Sequence, residues 1–68
     1  MTKFQQTQNE MFFKKVISSL NEGGVWMYPN LMEVFTMSNG KLVASDEKAL
    51  KAVRKLVSKK AGEKLFTL

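Results

Sequence analysis

The chain contains no cysteine and no histidine. Without cysteine there is no disulfide to staple a small fold and no thiolate to hold a metal. Without histidine the commonest metal ligand and the commonest general base near neutral pH are gone as well. Acids are few and dispersed: Glu10, Glu22, Glu33, Asp46, Glu47 and Glu63, with one adjacent pair at an expected helix start. That scatter supplies neither a carboxylate cage for a hard cation nor two carboxylates in contrasting surroundings for acid–base chemistry. A serine or threonine nucleophile would have no base beside it, and every lysine sits in polar sequence. The expectation is a protein that is not an enzyme, with no metal, no cofactor and no small-molecule substrate. Long apolar runs are also missing, and none nears the roughly 20 residues that cross a bilayer. The stretch from Thr2 to Glu10 is polar and lacks the apolar core of a signal peptide. A cytoplasmic location away from membranes is therefore expected.

What remains is 68 residues with a net charge of +5, from eleven Lys and Arg against six acids. A chain of this length builds one domain and buries only about 60% of its unfolded surface, so a homodimer is one way to add stability. Excess positive charge favours polyanionic partners: nucleic acid, an acidic protein face or an anionic membrane. The same charge is also what solubility asks of a small domain.

Glycine and proline punctuation at Gly23-Gly24, Pro29-Asn30, Asn39-Gly40 and Gly62 divides the chain. Thr7-Gln8-Asn9-Glu10 reads as a capping box, and Phe13, Val16, Ile17 and Leu20 then repeat with helical period. A helix over about 8–22 is expected, closed by the glycine pair, with residues 1–6 as a disordered arm. Val25 to Tyr28, Leu31 to Met37 and Lys41 to Ala44 read as strands. Asn39-Gly40 is a two-residue hairpin signal, which sets Ser38 opposite Lys41, Met37 opposite Leu42, Thr36 opposite Val43 and Phe35 opposite Ala44. Ser45 then caps a last helix, with Asp46 and Glu47 at its positive end. Ala49, Ala52, Val53, Leu56 and Val57 form its apolar side and Gly62 its stop; Leu65 to Leu68 either return to the core or add an edge strand. The fold class is α+β: helix, two- or three-stranded antiparallel sheet, helix, with both helices on one sheet face. Phe13, Val16, Ile17, Leu20, Phe35, Leu42, Val53, Leu56 and Val57 are the expected core.

Two surfaces stand out. Lys48, Lys51, Arg54, Lys55 and Lys59 share the polar side of the last helix, the clustered arrangement that neutralises phosphates. Lys14 and Lys15 are candidate helpers. With lysine dominant and one arginine, contact would be independent of base sequence. A solvated helix face has the same composition, because lysine is a good polar helix former. The second surface is the sheet set Trp26, Met27, Tyr28, Met32, Val34 and Val43. Left open, Met32, Val34, Thr36 and Val43 would form a docking patch, while Trp26 and Tyr28 could stack on unpaired bases. Buried, Trp26 is simply core. Gly23-Gly24 follows a helix instead of opening one, so it is not a phosphate loop.

The run from Gly23-Gly24-Val25-Trp26-Met27-Tyr28-Pro29-Asn30 through Asn39-Gly40-Lys41-Leu42-Val43-Ala44-Ser45 precedes a lysine-rich helix. In style, across the whole chain, this resembles the small accessory proteins of tailed bacteriophages that bind and redirect or block host machinery. No family motif carries the likeness and no functional residue transfers from it. The resemblance implies a viral inhibitor or adaptor acting by occupancy in the host cytoplasm. The basic helix and the likeness together leave three expectations: a small regulatory or inhibitory DNA- or RNA-binding protein working through its basic helix, an inhibitor docking on an acidic protein, or a structural subunit that assembles only with copies of itself.

Overall fold

A computed structural model describes residues 2–67. The elements run α1 (Lys3–Ser19), β1 (Val25–Tyr28), β2 (Glu33–Ser38), β3 (Lys41–Ala44), α2 (Glu47–Arg54) and α3 (Lys59–Leu65). All three helices lie against one side of an antiparallel sheet of order β1-β2-β3. This is the expected α+β arrangement, with the last helix split in two.

The first helix starts earlier than expected. Thr2 caps it in a reciprocal box with Gln5, each side chain meeting the other's backbone N–H at 3.1 Å. Residues 3–6, expected as an arm, form the first turn instead. The sequence holds two capping signals five residues apart, and the outer one is used. The Thr7 hydroxyl, left inside the helix, donates to the Lys3 carbonyl at 3.0 Å. The helix stops at Ser19 with Leu20 as its cap, so the glycine pair does not close it. Gly23, at φ 82°, instead begins a bulge. Its N–H donates to the Met37 carbonyl at 2.7 Å, and the Met37 N–H donates to the Gly24 carbonyl at 2.8 Å.

The hairpin register is as expected, from Phe35↔Ala44 to Ser38↔Lys41. Asn39 and Gly40 both take positive φ, as their turn requires. The Glu22 carboxylate holds that turn by accepting the Asn39 N–H. β1 is also present, paired from Val25↔Thr36 to Tyr28↔Glu33. Leu31 and Met32, expected as strand, belong to the turn: the Met32 N–H donates to the Tyr28 carbonyl at 2.7 Å and Met32 sits at φ 55°.

The single long C-terminal helix is replaced by two short ones. Asp46, not Ser45, caps α2 by accepting the Ala49 N–H at 2.8 Å, and Ser58 caps α3 by accepting the Ala61 N–H at 3.2 Å. A helix break orphans carbonyls that need other donors. Asn9 Nδ2 supplies one, to the Leu56 carbonyl at 2.8 Å, and Glu10 Oε1 accepts the Ser58 hydroxyl at 2.8 Å. Two polar residues of α1 thus hold the break open.

Gly62, expected as the stop, lies buried inside α3. A methyl group there would meet Val57 Cγ2 at 3.7 Å and Arg54 Nε at 3.8 Å, which is ordinary contact. Gly62→Ala is therefore expected to stabilise the domain by about 0.5–1 kcal/mol, the helix-propensity difference. Thermal unfolding should shift upward by a few degrees; a lower midpoint would contradict the helical geometry.

Phe66 turns back into the core, and its bridge to Leu42 places the segment along β3, where the Thr67 N–H donates to the Leu42 carbonyl at 2.9 Å. Leu68 lies outside the described residues. The largest fully buried side chains are Phe13, Phe35, Phe66, Leu42 and Val53; Ala49 is fully buried too, and Tyr28, Met37 and Leu65 are nearly so. Val16 and Val57 are buried as expected, whereas Ile17, Leu20 and Leu56 are only half-buried and pack around the core.

A candidate polyanion interface

Lys48, Lys51 and Lys55 recur at helical spacing, and all three are exposed. The chain leaves the α2 helix at Lys55, so Lys59 is carried by α3 instead of continuing the same row. The break nevertheless gathers charge. Lys51, Arg54, Lys55 and Lys59 surround one shallow hollow of about 340 Å³ with Ser58 in its wall. Lys51 and Lys55 also line a second hollow with Lys48. On the other side, Ser58 belongs to a hollow of about 260 Å³ with Lys14, Lys60, Lys64 and Glu10. Lys14 continues into a further groove on α1 that includes Lys15 and Phe12. Ser58 is common to the hollows on either side of it and Lys14 to the next pair, which links the cations of α2, α3 and α1 into a basic track with Glu47 at one end and Glu10 within it.

Seven of the eleven basic residues lie between positions 48 and 64, where Glu63 is the sole acid. Among the described residues, no hydrogen bond or ion pair engages the side-chain amines of Lys48, Lys51, Lys55 or Lys59. Lys41 is different, because its Nζ donates to the Glu63 carbonyl at 2.9 Å. The nearby Glu10 carboxylate points to Ser58 through both hydroxyl and N–H. Lys64 escaped the sequence reading because a helix ending at Gly62 would have left it beyond the basic face; Ser58, a good N-cap two residues after Leu56, was the available signal.

The sheet residues divide by parity. Trp26 and Tyr28 point toward the helices, stacked on each other with centroids 5.4 Å apart and planes 26° apart. Phe12 and Phe13 cover both rings, and Phe35 packs against Trp26. Tyr28 is buried and Trp26 half-buried, so these rings build the core side and offer no open platform for bases. Val25, Met27, Val34, Thr36 and Val43 lie on the opposite face by register. Val25 (66% accessible), Met27 (46%) and Val34 (39%) are exposed there, as is Met32 (70%) in the adjoining turn.

Among the described residues no group of three or more Asp, Glu, His or Cys could hold a metal ion. No described helix is long and apolar enough to cross a membrane. No protein-family model, curated protein or solved structure matches this chain.

Proposed function

We propose that this domain is a non-catalytic binding protein that grips the phosphate backbone of a nucleic acid along its basic track, acting by occupancy as a regulator or inhibitor in the cytoplasm. The continuity of the track carries the reading: three helices contribute cations to one strip, and its lysine amines are unengaged among the described residues. Lysine is a point charge that attracts phosphate without reading bases. With Tyr28 buried and Trp26 half-buried on the core side, the lysine-dominated track favours backbone contact over base stacking.

Salt titration of binding to random duplex and single-stranded oligonucleotides tests this. Five contacts, from Lys48, Lys51, Arg54, Lys55 and Lys59, give a slope of about −4.5 on duplex DNA. Affinity should then fall roughly 500-fold between about 50 and 200 mM salt. Millimolar binding at low salt, or binding indifferent to salt, would remove the proposal.

The exposed set Val25, Met27, Met32 and Val34 favours a second reading, an inhibitor or adaptor that docks on an acidic protein and acts by occupancy, the mode that the bacteriophage likeness implies. A captured protein lost on Val34→Glu but retained on Lys51→Glu would support it.

A further inference from the structure

The sheet has two edges, and the structure treats them differently. β3's outer edge is met by the returning chain, through the Leu42–Phe66 bridge and the Thr67 N–H. No segment among the described residues pairs with β1's outer edge.

The bonds at the bulge fix which main-chain groups face that edge. Gly24 accepts from Met37, so Gly24, Trp26 and Tyr28 turn their N–H and C=O groups toward β2. Val25 and Met27, the intervening residues, turn theirs outward. The Ser45 N–H on the Val34 carbonyl at 3.0 Å checks this parity from the other side, since Val34 opposes Met27 and faces β3.

We infer that β1 is a self-pairing strand: a second copy of this chain adds across a two-fold axis, antiparallel, joining two three-stranded sheets into one. Charge selects a second copy as the occupant. From Gly24 to Met32 there is no charged residue, and β1 has none of the lysines or prolines that guard natural edges. A chain of net charge +5 meets its own copy with least repulsion along such a neutral strand. The cations of α2 and α3 pack near β3, at the far side of the sheet, so they stay at the outer ends of the joined sheet, while Lys14 and Lys15 of α1 lie on the groove that includes Phe12. Both layers at the edge are apolar as well: Val25 and Met27 lie exposed on one side, and Phe12 half-open over Trp26 and Tyr28 on the other.

The register follows. If the helices of both copies lie on the same side, residues of like face must oppose each other. Trp26, Val25 or Met27 then faces its own copy, and Val25 on the axis would set Met27 opposite Gly23, whose N–H is already given to Met37. With Trp26 on the axis, Val25 opposes Met27 of the second copy, and every outward N–H of both strands finds a carbonyl. With Met27 on the axis, Val25 would face Pro29, which has no N–H to give. The structure assigns the Trp26 register.

Sedimentation of the intact chain, scanned up to about 1 mM because a short strand pair is a small interface, should show mass rising from 7.7 kDa toward twice that value. Met27→Pro removes an outward donor at an edge position that tolerates proline. Circular dichroism should show it folded, with dimer affinity weakened roughly thirtyfold for the two bonds lost. Cysteine pairs read the register in a chain that has no other thiol. A mixture of Val25→Cys and Met27→Cys chains should cross-link, their Cα atoms lying about 5.5 Å apart. Val25→Cys by itself should not, at about 7–8 Å. A monomer throughout the scan, a folded Met27→Pro chain that dimerises undiminished, or equal cross-linking by Val25→Cys without its counterpart would each overturn the inference.

Discussion

Phe13→Ala is expected to leave the domain largely unfolded at room temperature. The ring is fully buried and lies edge-on to Tyr28, Trp26 and Phe66 at centroid distances of 5.7, 6.3 and 5.1 Å. It is the point where α1, β1 and the returning C-terminal segment meet. Truncating a buried phenylalanine costs about 3–5 kcal/mol. A domain of this length holds only about 3–10 kcal/mol in total, and no disulfide constrains its unfolded state. Urea unfolding followed by Trp26 fluorescence reads the loss, since Trp26 packs on the same ring. Phe4→Ala is the control: Phe4 is exposed on the outer side of α1 and should move stability by less than about 0.5 kcal/mol. Equal midpoints for the two variants would mean that the core is wrongly placed.

The second large effect concerns binding. Lys51→Glu combined with Lys55→Glu removes two cations shared by adjoining hollows and plants two anions in their place. Losing two phosphate contacts should flatten the salt slope by about 2. Lost attraction and new repulsion together are worth about 2–4 kcal/mol, or roughly 30- to 800-fold in affinity. Both side chains are exposed, so stability should change little. The informative comparison is Lys3→Glu with Lys41→Glu, which alters net charge equally but lies off the track. If both double variants weaken binding alike, total charge governs the attraction and the track has no special part in it.

The sheet was the most legible part of the chain. Asn-Gly determines both the turn and the pairing of β2 with β3, so the alternation of Phe35, Met37, Leu42 and Ala44 follows from one dipeptide. β1 was less legible, because its side depends on the length of the 29–32 turn. Pro29-Asn30 announces a turn without saying where it ends, and Met32 occupies a left-handed position more often held by glycine or asparagine. That is why Trp26 stood open as either surface or core until its register with Phe35 was known. In the basic region, helical periodicity placed Lys48, Lys51 and Lys55 correctly because α2 carries the pattern that far. It failed beyond Lys55, where an uninterrupted amphipathic repeat hides a break stabilised from outside by Asn9 and Glu10. Local pattern has no means of registering contacts 47 and 48 residues distant.

Those same contacts decide when the cations become an array. Lys14 comes alongside Lys60 and Lys64 only after the chain's first helix has clasped the hinge between its last two. A half-translated or nicked polypeptide would carry much of the same electrical charge strung along a loose coil, with nothing to hold its spacing. Composition gives this protein its attraction for anions, but only tertiary closure gives that attraction a shape.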